Sequence, residues 1–224
     1  MSLVFVNKEI IDRVSGKLGL SAKAVTRATY RAINGVAAKA FTRSRREIRD
    51  RVNLSATYIR ERMWLQKANS SRQVAVIAAR KRPTRLATYG ARQRTRKDKG
   101  TKRPAGRNGG KLFGVQAGAG DTLRNINQGM VPAGVSVSVK RGGQRQLMPG
   151  AFFMPLRAGK VAAVNGMGVF IRTGSGKKDI KHLYGPSVDQ LFRGVIDDIS
   201  PDVQAELEAE LLRQANYEFS KVTK

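Results

Sequence analysis

The sequence predicts an α+β fold. It has a long N-terminal helix, an antiparallel β-meander of about four strands and C-terminal helices, with a long basic loop inserted between strands. Three observations predict it. An apolar stripe at helical spacing runs from Val25 to Val52. Short apolar runs bounded by glycine and basic residues follow between positions 73 and 172. A helical stripe then returns after Pro186. Helix, strands, helix is the order of a domain whose helices cover one face of an antiparallel sheet, and residues 1–224 read as one such domain.

The first helix is expected over residues 22–52. Ser21 supplies an N-cap, and Val25, Ala28, Ala32, Val36, Ala40, Ile48 and Val52 share one face. Gly35 is its weak point, at about 1 kcal/mol relative to Ala. Arg27, Arg31, Lys39, Arg43, Arg45, Arg46, Arg49 and Arg51 take the outward face. Ser55 can cap a shorter helix with Tyr58, Ile59 and Met63 inward and Arg60, Glu61 and Arg62 outward.

The period then changes. Gln73–Ala79 reads as a strand stopped by three bases and Pro83, and Leu86–Tyr89 as a brief extension of the same layer. From Gly90 to Gly120 no periodicity is sustained, which marks a long basic, glycine-rich loop or a segment ordered only by a partner, a length that is commonly functional or disordered. Alternation resumes at Val135–Lys140, with a turn at Arg141-Gly142-Gly143, and Gly150–Met154 and Gly168–Arg172 are further strands. Val188, Leu191, Phe192, Val195 and Ile196 form a helical stripe. Ser200-Pro201 starts a last, acidic helix over 200–224, with proline at its first position.

Composition narrows the function. The chain carries 43 Lys+Arg against 16 Asp+Glu, a net charge of +27, with one His and no Cys. A 41% hydrophobic content supports a packed core and argues against a wholly disordered basic tail. Without cysteine there is no disulfide framework, thiolate metal site or thiol nucleophile. The opening residues lack a basic stretch followed by an apolar run of about 7–15 residues, so no signal peptide is expected. No run reaches the roughly 18 apolar residues of a membrane span, and no membrane partner is expected. So large a charge calls for an acidic partner.

That charge is uneven. Arg80 to Lys111 holds thirteen bases and one acid, Asp98, whereas Asp197 to the C-terminus holds seven acids and three bases. Opposite ends of this kind can orient copies or partners head to tail. The alternative is that the acidic end is the solvated face of a helix.

Catalytic chemistry has little to stand on. His182 is the only imidazole, at a strand end beside Lys181, and reads as structural. Asp197 and Asp198 are adjacent, so on a helix they do not face each other. Gly106–Lys111 resembles a phosphate loop in outline but lacks G-x-x-x-x-G-K-[ST] and the strand and helix that flank it. No enzyme, cofactor or metal is expected.

Four stretches carry a resemblance. They are the Arg-rich first helix, Ser55-Ala56-Thr57-Tyr58-Ile59-Arg60-Glu61-Arg62, Gly150-Ala151-Phe152-Phe153, and Leu183-Tyr184-Gly185-Pro186-Ser187-Val188 after a Phe-Ile-Arg strand. In this order, over about residues 20–195, the chain resembles the minor tail protein Z family of tailed phages and prophages, the tail-completion proteins of lambda-like virions. Tyr-Gly-Pro-Ser-Val is the most specific piece. The departure lies between Arg80 and Gly120, which is longer and more basic than the family pattern.

The resemblance implies a structural virion protein, assembled in the host cytoplasm, at the head-proximal end of the tail. It would complete the tail and enable head–tail joining. Its implied partners are further copies in a ring, sixfold to match a tube, together with tail terminator, tail-tube and head–tail connector proteins and packaged double-stranded DNA. Within the motif that opens at Tyr184, Pro186 fixes φ and Gly185 permits a tight turn, so Gly-Pro-Ser ends the last strand and Ser187 caps the next helix; direct contact with a neighbouring subunit is the alternative role. Phe152 and Phe153 alternate across a strand, so one is expected in the core and the other at a subunit interface.

Candidate contacts to DNA phosphate are Arg80, Lys81, Arg82, Arg85, Arg92, Arg94, Arg96, Lys97, Lys99, Lys102, Arg103, Arg107 and Lys111. Only Tyr89 and Phe113 are nearby aromatics, so sequence-independent backbone contact fits better than base stacking. An acidic neighbouring protein is the other partner for this segment. The competing class is a non-virion basic nucleic-acid-binding protein, which would need a recognition element such as an RRM aromatic pair or a helix-turn-helix; neither is present.

Overall fold

A computed structural model describes residues 21–97, 130–156, 166–174, 176 and 178–222. The chain is α+β, as the periodicities require. The described residues fall into two compact units, one from 21–49, 55–82 and 187–222, the other from 50–54 and the described parts of 83–186.

In the first unit, helix α1 spans Ala22–Arg51. The Ser21 carbonyl accepts from the Ala24 and Val25 amides, which starts the helix where the sequence places it. Ala28, Ala32, Val36, Ala40 and Ile48 are buried, so the expected stripe is the inner face. Helix α2, Ala56–Arg60, is capped by Ser55, whose hydroxyl accepts from the Tyr58 amide at 3.2 Å. Met63 is buried as expected, but as the first residue of strand β1, Met63–Gln66. That strand pairs antiparallel with β2, Val76–Ala79, the C-terminal half of the strand expected from Gln73. Asn34 of α1 holds this hairpin with both ends of its amide. Its Nδ2 donates to the Ala68 carbonyl at 2.9 Å and its Oδ1 accepts from the Ala68 amide at 2.7 Å.

The unit ends in one continuous helix, α3, Val188–Val222, rather than two. Pro201 lies inside it and does not start a new one; the acidic stretch from 200 is its second half. An interior proline removes one amide donor and costs about 3 kcal/mol. Val188, Phe192, Val195, Ile196, Ile199, Val203, Leu207, Leu211 and Ala215 form an unbroken buried stripe across the proline, and this burial holds the helix together.

The second unit contains strands β3 (Thr84–Arg85), β4 (Arg92–Lys97), β5 (Met130–Val137), β6 (Gln146–Met148), β7 (Phe152–Pro155), β8 (Met167–Arg172), β9 (Ile180–His182) and β10 (Tyr184–Gly185). The expected four-stranded meander is instead two three-stranded antiparallel sheets, β4-β5-β6 and β7-β8-β9, with β10 paired to β3. Leu86–Tyr89 is a 3-10 turn, not a strand extension.

Arg92–Lys97 corrects the loop expected over residues 90–120. It is a strand paired to β5, with a register shift between Arg94 and Thr95. Its Arg-Gln-Arg-Thr-Arg-Lys sequence has no apolar alternation and so gives no period-2 signal, while its backbone pairs antiparallel with β5. Lys99, Lys102, Arg103, Arg107 and Lys111 lie outside the described residues.

Candidate functional site

Three constellations position the residues singled out by the sequence. The first lies in the second unit. Tyr89 closes the 3-10 turn and is fully buried. Its hydroxyl donates to the Pro186 carbonyl at 2.7 Å. A Cβ on Gly185 would stand 2.6 Å from the Tyr89 ring, so only glycine lets β10 pass this close. Gly185 therefore serves the approach to Tyr89, more than the tight turn expected of it. Tyr184 is about half exposed.

Ser187 caps α3 as expected, through a reciprocal box. Its hydroxyl accepts from the Gln190 amide at 3.1 Å, and its own amide donates to Gln190 Oε1 at 2.9 Å. Asp189, buried in the first turn, adds negative charge where the helix dipole is positive, and it pairs with Arg193 at 2.8 Å.

The second constellation is an aromatic ladder. Phe152, Phe170 and His182 are register partners across β7, β8 and β9. Ring centroids step 6.3 Å from Phe152 to Phe170, 4.5 Å to His182 and 4.3 Å to Tyr184. Gly168 makes room for it, since a Cβ there would stand 2.6 Å from Phe170 Cε2 and 2.7 Å from His182 Nε2. Phe152 and Phe153 are both half-buried, so the expected division into one core and one interface residue is not drawn. His182 has the structural place expected of it. Burial and the positive Arg85 hold its pKa below the usual value.

The third is electrostatic. On α1, Arg31 reaches Glu218 at 2.7 Å, Arg27 the same carboxylate at 3.4 Å, Lys39 reaches Glu206 at 3.9 Å and Arg43 reaches Asp202 at 2.6 Å. Gly35 faces Glu210, whose Oε1 would lie 3.8 Å from a Cβ there. Rising numbers on α1 meet falling numbers on α3, so the helices run antiparallel in a four-residue register. Four of the bases expected on an outward face, Arg27, Arg31, Lys39 and Arg43, are thus paired with the acidic end of the same chain. The signal was present in the sequence as bases at 27, 31, 39 and 43 against acids at 202, 206, 210 and 218, both at steps of four or eight residues.

The basic candidates divide between the units. Arg80, Lys81 and Arg82 are exposed at the end of the β2 segment in the first, and Arg85 is half-buried in β3 of the second. Arg92 and Arg94 are exposed on β4, and Arg96 and Lys97 complete that strand. Sequence reading missed Arg145. This residue donates Nη2 to the carbonyls of Ser136, at 2.9 Å, and of Gly90, and Nε to the Ser136 hydroxyl at 3.4 Å. Burial first, then repulsion from Arg92 and Arg94, lowers its pKa. The described residues contain no group of three or more His, Asp or Glu side chains able to hold a metal ion. Among them no helix is long and apolar enough to cross a membrane.

These features define a basic α+β protein whose distinctive residues serve packing, capping and charge pairing within its own fold. The model of the family prophage minor tail protein Z (GPZ) matches residues 12–224, nearly the whole chain, and the chain belongs to that family. It is thereby a minor tail protein of the phage tail. No curated protein and no solved structure matches it.

Proposed function

We propose that this protein acts at the head-proximal end of a long phage tail, where it completes the tail and makes it competent to join a head. The observation that carries this reading is membership of the minor tail protein Z family across 12–224. In the proposal the copies form a ring around the DNA path, sixfold to match the tube. Tail terminator, tube and connector proteins are its neighbours, and it acts without catalysing a reaction. A net charge of +27 supports the placement, since a ring so charged is stabilised by anions at its centre or acidic proteins at its edges.

The basic segment then makes sequence-independent contacts to packaged DNA. Its test is a prophage carrying a stop codon in this gene. Induced lysates should contain filled heads and full-length tails that remain separate, with joining restored by supplying the protein. Imaging of intact virions should place its density at the head-proximal tail end. Normal yields of joined particles from the mutant would overturn the reading.

A further inference from the structure

We propose that Arg92, Arg94 and Arg145 form a preorganised site for the phosphate backbone of duplex DNA on the β4-β5-β6 sheet. The site deepens the functional reading above and rests on it for the identity of the polyanion.

The register sets the geometry. Arg92 stands opposite Ser136 and Arg94 opposite Gly134, so the two arginines share a face about 6.8 Å apart along the strand. Arg145, just before β6, is tied to Ser136 of β5 and to Gly90, two residues before β4. Those three bonds use Nε and both hydrogens of Nη2. Two of the five guanidinium N–H groups, both on Nη1, remain for a ligand. The anchored side chain has already lost its rotamer freedom, so a bound anion need not order it.

None of the ion pairs formed among the described residues includes Arg92, Arg94 or Arg145. The Arg145 pKa is held lowered by burial first and then by the neighbouring charges of Arg92 and Arg94, and an anion bound among the three would offset that repulsion. Phosphodiesters suit planar N–H forks.

Two observations favour a nucleic-acid backbone over an acidic protein. From Arg92 to Lys111 the sequence carries nine bases and one acid, a run that matches a repeating polyanion of about one charge per 1.7 Å. The acidic stretch of the chain's own C-terminal helix is engaged by α1 at Asp202, Glu206 and Glu218, which leaves a second copy poorly equipped to serve as the acidic partner.

The test is binding of the full-length protein to a fluorescent duplex of random sequence, measured by anisotropy between about 50 and 200 mM salt. Arg92→Gln with Arg94→Gln removes two exposed charges and no structural hydrogen bond. It should lower affinity equally for unrelated sequences and reduce the salt slope by about 2, so the loss across that salt range shrinks roughly tenfold. Arg145→Gln should lower the slope by about 1 more, with circular dichroism confirming the sheet in each variant.

An unchanged slope in the double variant, with wild-type protein binding duplex, would overturn the site while leaving the tail role intact. Failure of the wild type to bind duplex, with tight binding to polyglutamate, would overturn the phosphate assignment. Head–tail joining by the stop-codon mutant remains the separate measure of the tail role.

Discussion

The Tyr89 hydroxyl and the Pro186 carbonyl, 97 residues apart in sequence, form a 2.7 Å hydrogen bond that fixes the most specific motif of the chain. Tyr89 is fully buried, and its ring lies against the Cα of Gly185. The Tyr-Gly-Pro-Ser string therefore has a receptor within its own fold. Tyr89→Phe should destabilise the protein by about 1 kcal/mol through the lost hydrogen bond. Gly185→Ala should cost about 1–3 kcal/mol, because the ring has no room to yield. Urea unfolding midpoints check both, and Gly185→Ala should be the more severe.

The pairing of α1 with α3 separates a buried carboxylate from an exposed one. Glu218 has a side chain only 2% exposed, whereas Asp202 is 56% exposed. Replacing Arg27 and Arg31 together by Gln leaves Glu218, among the described residues, with Lys221 at 4.0 Å as its remaining cation and should cost about 3 kcal/mol. Arg43→Gln should cost less than about 1 kcal/mol and vanish in high salt. Thermal unfolding at two salt concentrations distinguishes them.

The capping box at the start of α3 predicts non-additive losses. Ser187→Ala and Gln190→Ala each remove one hydrogen bond of a reciprocal pair. The serine change should cost about 1 kcal/mol. In a double-mutant cycle the combined loss should fall short of the sum of the two single losses, because either change already opens the box.

His182 predicts a pH dependence. Burial and Arg85 lower its folded-state pKa, while the unfolded chain binds the proton near the ordinary value of about 6.5. Below that value the unfolded state holds more protons, so stability falls as pH drops from about 6.5 toward the folded pKa. His182→Phe keeps a ring in the ladder and should flatten the stability profile below about pH 6.5. An unchanged profile would show that His182 stays uncharged or paired in both states.

Much of the fold was legible because its causes are local. Ser21 and Ser55 cap where expected, the apolar stripe of α1 is its buried face, and Ser187 starts α3. Pro201 misled for a local reason as well: its chemistry favours a helix start, but the buried stripe from Val188 to Ala215 crosses it without interruption. β4 was hidden because a strand built from Arg, Gln, Thr and Lys has no apolar alternation to detect. Arg145 was hidden because nothing in its neighbours distinguishes a solvated base from one bonded to a strand and a distant turn.

By itself the sequence determined the α+β order of elements, the +27 charge with its basic middle and acidic end, the capping residues and the family. Each depends on composition or on contacts within a few residues. Only the tertiary structure decided that Asp202, Glu206 and Glu218 of the acidic end pair with α1, that Tyr89 receives the Gly-Pro turn, that Gly168 clears space for an aromatic ladder, and that part of the basic segment is a strand. Those depend on pairings between distant positions, where burial and register select among partners that local sequence leaves equivalent.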